Sequence, residues 1–408
     1  MNSLSIIKNA EQVLAKEFEK MEQVAYHNQV KVLNAFQRNH VRDYHFAASS
    51  GYGYGDIGRD LLEDIYADIF ACEDALVRGQ IISGTHAIAA CLLSLLRPGE
   101  QILSIIGTPY DTLKKVIGIE NSNYGTLTDR GVIYREVPLD PSGQPDHQAI
   151  EKALESPVRL VLIQRSRGYS LRPSLRCGDI EELVKIIRAK QPSSIIMVDN
   201  CYGEFVEEEE PSNLDIDIMA GSLIKNPGGG LASGGGYVTG KKELVEYVSY
   251  QITAPGLGKE IGPSLVNNRF LYQGIFMAPH IVLQSLKSAL LLSYIFEEFG
   301  YPVYPRWNDK RGDIVQVVQL KDQQQILKFC QTIQSNSPVD NDVTLEFGDL
   351  PGYTNKVIMA AGTFVQGSSI ELSCDAPLRE PFAVYMQGGL TYEHARFVIS
   401  RLIDNILL

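Results

Sequence analysis

The sequence predicts an α/β protein of two domains: a large one on a mostly parallel sheet, and a smaller α+β unit at the C-terminal end. Three observations carry this. Between Val77 and Gly240, short apolar runs alternate with stretches of helical periodicity, the pattern of right-handed strand-helix-strand crossovers. Residues 278–293 then form one long helical run, closed by Gly300 and Pro302, that leads out of the large domain. Beyond it the pattern changes to short strands around a single helix. The chain has 408 residues, more than a single core usually supports. The expected organisation is a helical arm over 1–45, a large domain over 46–285 and a small domain over 286–408.

Taken in order, Ile6, Ile7, Ala10, Val13, Leu14, Phe18, Met21, Val24 and Ala25 recur at helical spacing, and the pattern resumes at Val30, Leu33 and Phe36. This predicts the arm, which the sequence allows to pack either on its own domain or on a partner subunit. Residues 101–106 and 160–163 read as strands. Residues 194–198 read as a fully buried strand, so Asp199 emerges at its carboxyl end, where open α/β sheets place their ligands. Glu207 to Glu210 reads as a solvated acidic loop. After the long helix, strands are expected at 313–320, 357–360 and 369–373 around a helix at 324–333.

A formal charge of −12 with no long basic run argues against nucleic acid or an anionic membrane as the main partner and leaves a small molecule. The first residues lack the basic and apolar segments of a signal peptide, and no segment is expected to span a bilayer, so the expected compartment is the cytoplasm. Six cysteines, at 72, 91, 177, 201, 330 and 374, are scattered. That spacing predicts reduced thiols, with neither a disulfide framework nor a metal site.

The chemistry concentrates in three places. Lys225 follows Ser222-Leu223-Ile224 and precedes Asn226-Pro227-Gly228-Gly229-Gly230, an enclosed setting in which a lysine can act as a covalent catalyst. Asp199, at its strand end, needs a cationic partner. Pyridoxal 5'-phosphate (PLP) satisfies both residues, since its aldehyde forms an imine with lysine and its protonated ring nitrogen pairs with a carboxylate. The third place is Ser83-Gly84-Thr85-His86-Ala87, a small-residue turn opening a helix. Its free N–H groups, with the hydroxyls of Ser83, Thr85 and Ser222, suit a phosphate. Alone, each feature has a plainer reading: a surface lysine, a strand-end aspartate, an N-cap. His86 reads as structural.

Together with Tyr110, Asp199-Asn200 and Ser222 to Lys225, the stretches Gly51-Tyr52-Gly53-Tyr54-Gly55-Asp56, Ser83 to Ala87, Gln164-Arg165-Ser166-Arg167-Gly168-Tyr169 and Gln387-Gly388-Gly389-Leu390 carry a resemblance. From about residue 45 onward the chain resembles the fold-type I PLP-dependent enzymes of the cystathionine lyase and methionine γ-lyase group, in the branch labelled aluminium-resistance proteins. The resemblance implies a PLP-dependent transferase-like fold, with Lys225 bound to the cofactor, Asp199 on its ring nitrogen, Tyr110 stacked on the ring, and Gly84, Thr85 and Ser222 on the phosphate. It gives Tyr54 a role in the neighbouring subunit's site, in phosphate contact or in assisting the leaving group, and so implies a homodimer or homotetramer with shared active sites. The family's arginine two residues beyond that tyrosine is Asp56 here, and the nearest arginine is Arg59.

The implied reaction is an α,β- or α,γ-elimination on a sulfur amino acid of cystathionine or methionine type, giving a 2-oxo acid, ammonia and a thiol, with Lys225 as the base at Cα. The substrate α-carboxylate wants a bidentate arginine. Arg379 is the candidate, with Arg165, Arg167 and Arg269 in competition. Three alternatives stand beside the lyase: a PLP-dependent aminotransferase, a non-catalytic PLP- or metabolite-binding regulatory protein, and a dinucleotide-binding protein. The last rests on Gly53-Tyr54-Gly55-Asp56-Ile57-Gly58, which lacks the preceding buried strand that such a motif requires.

Overall fold

The computed structural model describes residues 2–119 and 124–408. Seven strands form the large sheet: β1 (Asp74–Arg78), β2 (Gln101–Ser104), β3 (Ile133–Glu136), β4 (Leu160–Gln164), β5 (Ile195–Asp199), β6 (Ile218–Ser222) and β7 (Gly236–Gly240). Their order is β1-β7-β6-β5-β4-β2-β3. β7 alone runs antiparallel to its neighbours, so the sheet is mostly parallel as expected. β4, β5 and β6 are buried along their whole length, which is why they read as continuous apolar runs. In the register of β4 against β5, Gln164 lies opposite Asp199. The loops after both strands therefore leave from one edge.

The second sheet is antiparallel and five-stranded, with β8 (Val303–Tyr304), β9 (Gln316–Gln319), β10 (Val357–Ala360), β11 (Ser373–Pro377) and β12 (Ala383–Gln387) in the order β10-β11-β12-β9-β8. The expected strand at 369–373 begins only at Ser373. Residues 369–372 are buried but extend no ladder, and burial without pairing gives the same apolar signal as a strand. The helix Gln323–Gln334 falls where the periodicity placed it.

The N-terminal periodicity forms one helix, Ser3–Arg38, which packs along the helix Arg269–Glu298. Ile7, Ala10 and Leu14 join the core of the small sheet, and Val32 and Ala35 join that of the large one. The arm thus ties both cores of its own chain. Helix Arg269–Glu298 starts nine residues before the expected 278 and carries Pro279 inside it. A proline reads from sequence as a helix start, yet here its missing donor is outweighed by a buried apolar face. This helix is long and apolar enough to cross a bilayer, against the sequence expectation. It is mostly buried by its own chain, as a core helix is. The acidic run is also corrected: Glu210 is buried, and Glu207 and Glu210 turn inward onto Arg165 at 2.7 and 3.4 Å.

Candidate active site

The apolar strand β5 ends at Asp199, and β6 ends at Ser222, three residues before Lys225. Asn226 joins the two loops, its side-chain amide donating to the carbonyls of Tyr202 at 3.0 Å and Glu204 at 2.9 Å. The Tyr202 backbone is held at a φ of 72°, a conformation that non-glycine residues adopt at a cost and keep where surrounding bonds fix it. From the small domain, Ser368 Oγ donates to the carbonyl of Ile224 at 3.2 Å. The lysine is therefore fixed from both domains.

Lys225 and Asp199 line one cavity of ≈330 Å³, and Ser83, Gly84, Thr85, Tyr110 and Ser222 line the same space. Ser83 caps the helix Gly84–Leu95, its Oγ accepting from the N–H of His86 at 3.0 Å, which leaves its O–H as a donor. The N–H groups of Gly84 and Thr85 occupy the first turn, where no intrahelical partner exists. Thr85 Oγ1 lies 3.1 Å from Thr112 Oγ1 and 3.4 Å from the Tyr110 hydroxyl. Gly84 meets a physical limit, since a Cβ there would stand 3.2 Å from both Cys201 Sγ and Ser222 Cβ. Tyr110 is set from its backbone, whose N–H donates to Gln164 Oε1 at 3.1 Å.

The electrostatics of the pair are mutual. Burial raises the Asp199 carboxyl above the usual range, and the Lys225 ammonium opposes that rise. Burial pulls Lys225 down, while Cys201, Tyr202 and Asp199 facing it push it up further, so the ammonium is held above the ordinary lysine range. Its Nζ sits 3.8 Å from the centroid of the Tyr202 ring. Burial likewise pushes the Tyr110 phenol well up.

These residues fit PLP. The helix start with its bare Gly84 would hold the phosphate, Tyr110 would face the ring, Asp199 would take the ring nitrogen, and Lys225 would take the aldehyde. Asp199 is 3% exposed and lines the cavity, and its Oδ1 accepts from the Cys201 N–H at 3.1 Å. A buried carboxylate so placed suits a cationic ring.

Tyr54 and the candidate arginines do not line this cavity. Tyr54 is 65% exposed and lies against Tyr52, ring centroids 5.6 Å apart. Arg379 lines an adjoining cavity, with Nη2 donating to the Tyr169 carbonyl at 3.0 Å. Arg165 is fully buried behind the strand ends, donating to Asn200 Oδ1 at 2.7 Å and the Gly203 carbonyl at 3.0 Å. Arg269 opens the long helix beside Phe270. Arg59 is spent on the Gly53 and Gly262 carbonyls at 2.8 and 3.0 Å, where it fixes the Tyr54 loop.

Sequence reasoning missed Tyr169, Tyr202, Tyr353, Asp375 and Gln387, all on the cavity wall. Asp375 accepts from Gln387 Nε2 at 3.0 Å, and burial raises its carboxyl to about 6 against the bonds of Tyr169 and Gln387. The available signals were Tyr169 and Gln387, each inside a stretch already singled out.

The sequence matches the family model for methionine gamma-lyase over residues 3–407. It is 47% identical over 388 residues to an uncharacterized protein, YnbB, of Bacillus subtilis, covering 95% of this chain and 92% of that protein. A carbon-sulfur lyase involved in aluminum resistance from Clostridium novyi superposes with a TM-score of 0.95 at 46% identity, covering 99% of this chain and 96% of that one. The PLP-dependent protein YhfS of Escherichia coli superposes with a TM-score of 0.60 at 16% identity, over 94% of this chain and 96% of its own, a likeness of fold alone.

Proposed function

This chain belongs to the methionine gamma-lyase family, and from that premise we propose that it is a PLP-dependent carbon-sulfur lyase acting on a sulfur amino acid of cystathionine or methionine type. The observation that carries the reading is the single cavity shared by Lys225, Asp199 and the N-terminus of helix Gly84–Leu95. A lysine, a buried carboxylate and a phosphate cradle on one wall are the three contacts that PLP requires.

Bound there, PLP supplies the electron sink that acidifies the substrate Cα–H and lets a thiolate leave from Cβ or Cγ. The side chains do the rest. Lys225 Nζ anchors the cofactor and is the base positioned to take the Cα proton. Asp199 keeps a proton on the ring nitrogen, and Lys225 being cationic before capture lowers the cost of that buried carboxylate. Tyr110 and Tyr202 wall the cavity and reduce its water content. The products are a 2-oxo acid, ammonia and a thiol. Tyr54 is assigned to the partner subunit's site in a homo-oligomer, a reading supported by its exposure on the loop that Arg59 fixes.

The test is the visible spectrum of the purified protein, with borohydride reduction and peptide mapping, before and after adding cystathionine, methionine or cysteine. A PLP band, a reduced label on Lys225 and release of 2-oxo acid with free ammonia are expected. Transfer of the amino group to an added 2-oxo acid would convert the assignment to aminotransferase. A colourless protein that PLP does not reconstitute would remove it.

A further inference from the structure

Past Tyr110 and Tyr169, a second cavity of ≈190 Å³ adjoins that of Lys225, with Tyr110, Asp111, Gln164, Gly168 and Tyr169 lining both. Lys114, Arg167, Arg172 and Arg379 also line it, and among the described residues its one carboxylate is Asp111, paired with Lys114 at 3.1 Å. Arg167 is 3% exposed, yet among the described residues its Nε and Nη1 have no hydrogen-bond partner. Asp313 lies 3.7 Å from its Nε but already accepts from Ser166 Oγ at 2.9 Å and the Val315 N–H at 3.1 Å. Among the described residues, Arg172 donates only to the carbonyls of Pro173, Gln164 and Ser166. Buried Arg311, outside the cavity lining, donates from Nη2 to Gln316 Oε1 at 2.5 Å, and among the described residues its Nε and Nη1 have no partner.

Among the described residues, Asp313 is the one carboxylate within ion-pair distance of Arg167, Arg172 or Arg311. Burial, with the Arg167 charge adding to it, lowers Arg172 to about 10 and Arg311 to about 9, so both stay cationic at neutral pH. Arg167 and Arg172 line the cavity as buried cations, with Arg311 as a third buried cation close by and Asp313 as their shared counter-ion; a buried positive charge in excess of its carboxylates favours an anion in the space beside it.

The position of that anion follows from connectivity. A substrate's α-carboxylate is bonded to the carbon whose proton Lys225 takes, so its ligands must line the Lys225 cavity, and among the described residues no arginine does. Arg167, Arg172 and Arg379 stand one chamber further on. Resting on the lyase reading, we propose that this chamber binds a carboxylate on the leaving-group half of the substrate, with Arg167 as its buried ligand and Arg379 at its rim. The preferred substrate is then a thioether amino acid whose departing thiol carries a carboxylate, rather than a methyl thioether.

The test compares S-(2-carboxyethyl)-L-cysteine with S-propyl-L-cysteine, which differ in the distal carboxylate at nearly equal length. The wild-type enzyme is expected to favour the first at least tenfold in kcat/KM, and Arg167→Met to erase the preference through KM. A readout independent of turnover is the melting temperature of the holoprotein with succinate, expected to rise for wild type and not for Arg167→Met. Arg379→Met gives the same comparison at the half-buried rim, should Arg167→Met not fold. Lyase turnover with no carboxylate preference and no succinate shift overturns the subsite while leaving the lyase standing. An Arg167-dependent succinate shift without lyase turnover keeps the subsite and removes the lyase. Equal KM increases for both substrates would overturn the leaving-group placement.

Discussion

Lys225 Nζ lies 3.8 Å from the centroid of the Tyr202 ring, so the ammonium rests on an aromatic face within the same cavity as the Asp199 carboxylate. A desolvated contact of this kind is worth about 2 kcal/mol. It favours the protonated lysine, which is the form that cannot attack an aldehyde. Tyr202→Leu is therefore expected to shift the pH profile of PLP uptake by the apoprotein downward by about one unit, and Tyr202→Phe to leave it near wild type. Identical profiles for the two variants would show that the ring does not hold the ammonium.

Gly84 tests the phosphate cradle separately from the fold. Alanine is the better helix former by about 1 kcal/mol, and Gly84 starts the helix Gly84–Leu95. A Cβ there stands 3.2 Å from Cys201 Sγ and Ser222 Cβ, close enough that both must move. Gly84→Ala is expected to melt no lower than wild type but to bind PLP about tenfold more weakly, a loss of about 1.4 kcal/mol. Equilibrium titration of the apoprotein measures this, and unchanged affinity would place the phosphate elsewhere.

The fold was legible where one physical cause produced the pattern. Strands β4, β5 and β6 are apolar because both faces are buried, and Asp199 could be placed from the length of β5 alone. What stayed hidden depends on contacts distant in sequence. Tyr202 reaches the site because Asn226 holds its carbonyl, and Asp375 reaches it from β11 of the other domain. The acidic run at 207–210 misled because its counter-ion, Arg165, stands more than forty residues earlier. Arg379 was placed by residue type, and only the structure separates the two adjoining cavities.

Glu204 gives a pH-dependent prediction. It is fully buried, its Oε1 accepts from the Tyr237 hydroxyl at 2.7 Å, and among the described residues its Oε2 has no partner. Burial raises the carboxyl from 4.5 to about 8, against the Tyr237 hydrogen bond. Below about 4.5 both folded and unfolded forms are protonated and the group costs nothing. As pH rises toward 8 the unfolded chain ionises while the folded one does not, and stability falls by up to about 1.4 kcal/mol per pH unit. Glu204→Gln removes that slope. Its stability relative to wild type, from denaturant midpoints, is expected to grow by roughly 2 kcal/mol between pH 5 and pH 7; parallel curves would mean that Glu204 is ionised in the fold.

Tyr54 decides whether the site is shared between chains. On its own chain the ring is 65% exposed and absent from the Lys225 cavity, and its loop is held firmly. Arg59 bonds the Gly53 carbonyl, the Gly262 N–H donates to the Tyr52 carbonyl at 3.0 Å, and a Cβ at Gly53 would strike Pro263 at 2.7 Å. A fixed loop that presents an exposed tyrosine is suited to contact a second chain. If that is a second copy related by a two-fold axis, each site takes Lys225 from one chain and Tyr54 from the other. Tyr54→Ala and Lys225→Ala are then each expected to be nearly inactive alone. After mixing through reversible denaturation, half of the dimers are hybrids, and each hybrid regenerates one site with both residues intact. The mixture should recover about a quarter of wild-type activity. A mixture no more active than its parents would put Tyr54 outside any shared site, and an active monomer by light scattering would show that each chain carries a complete site of its own.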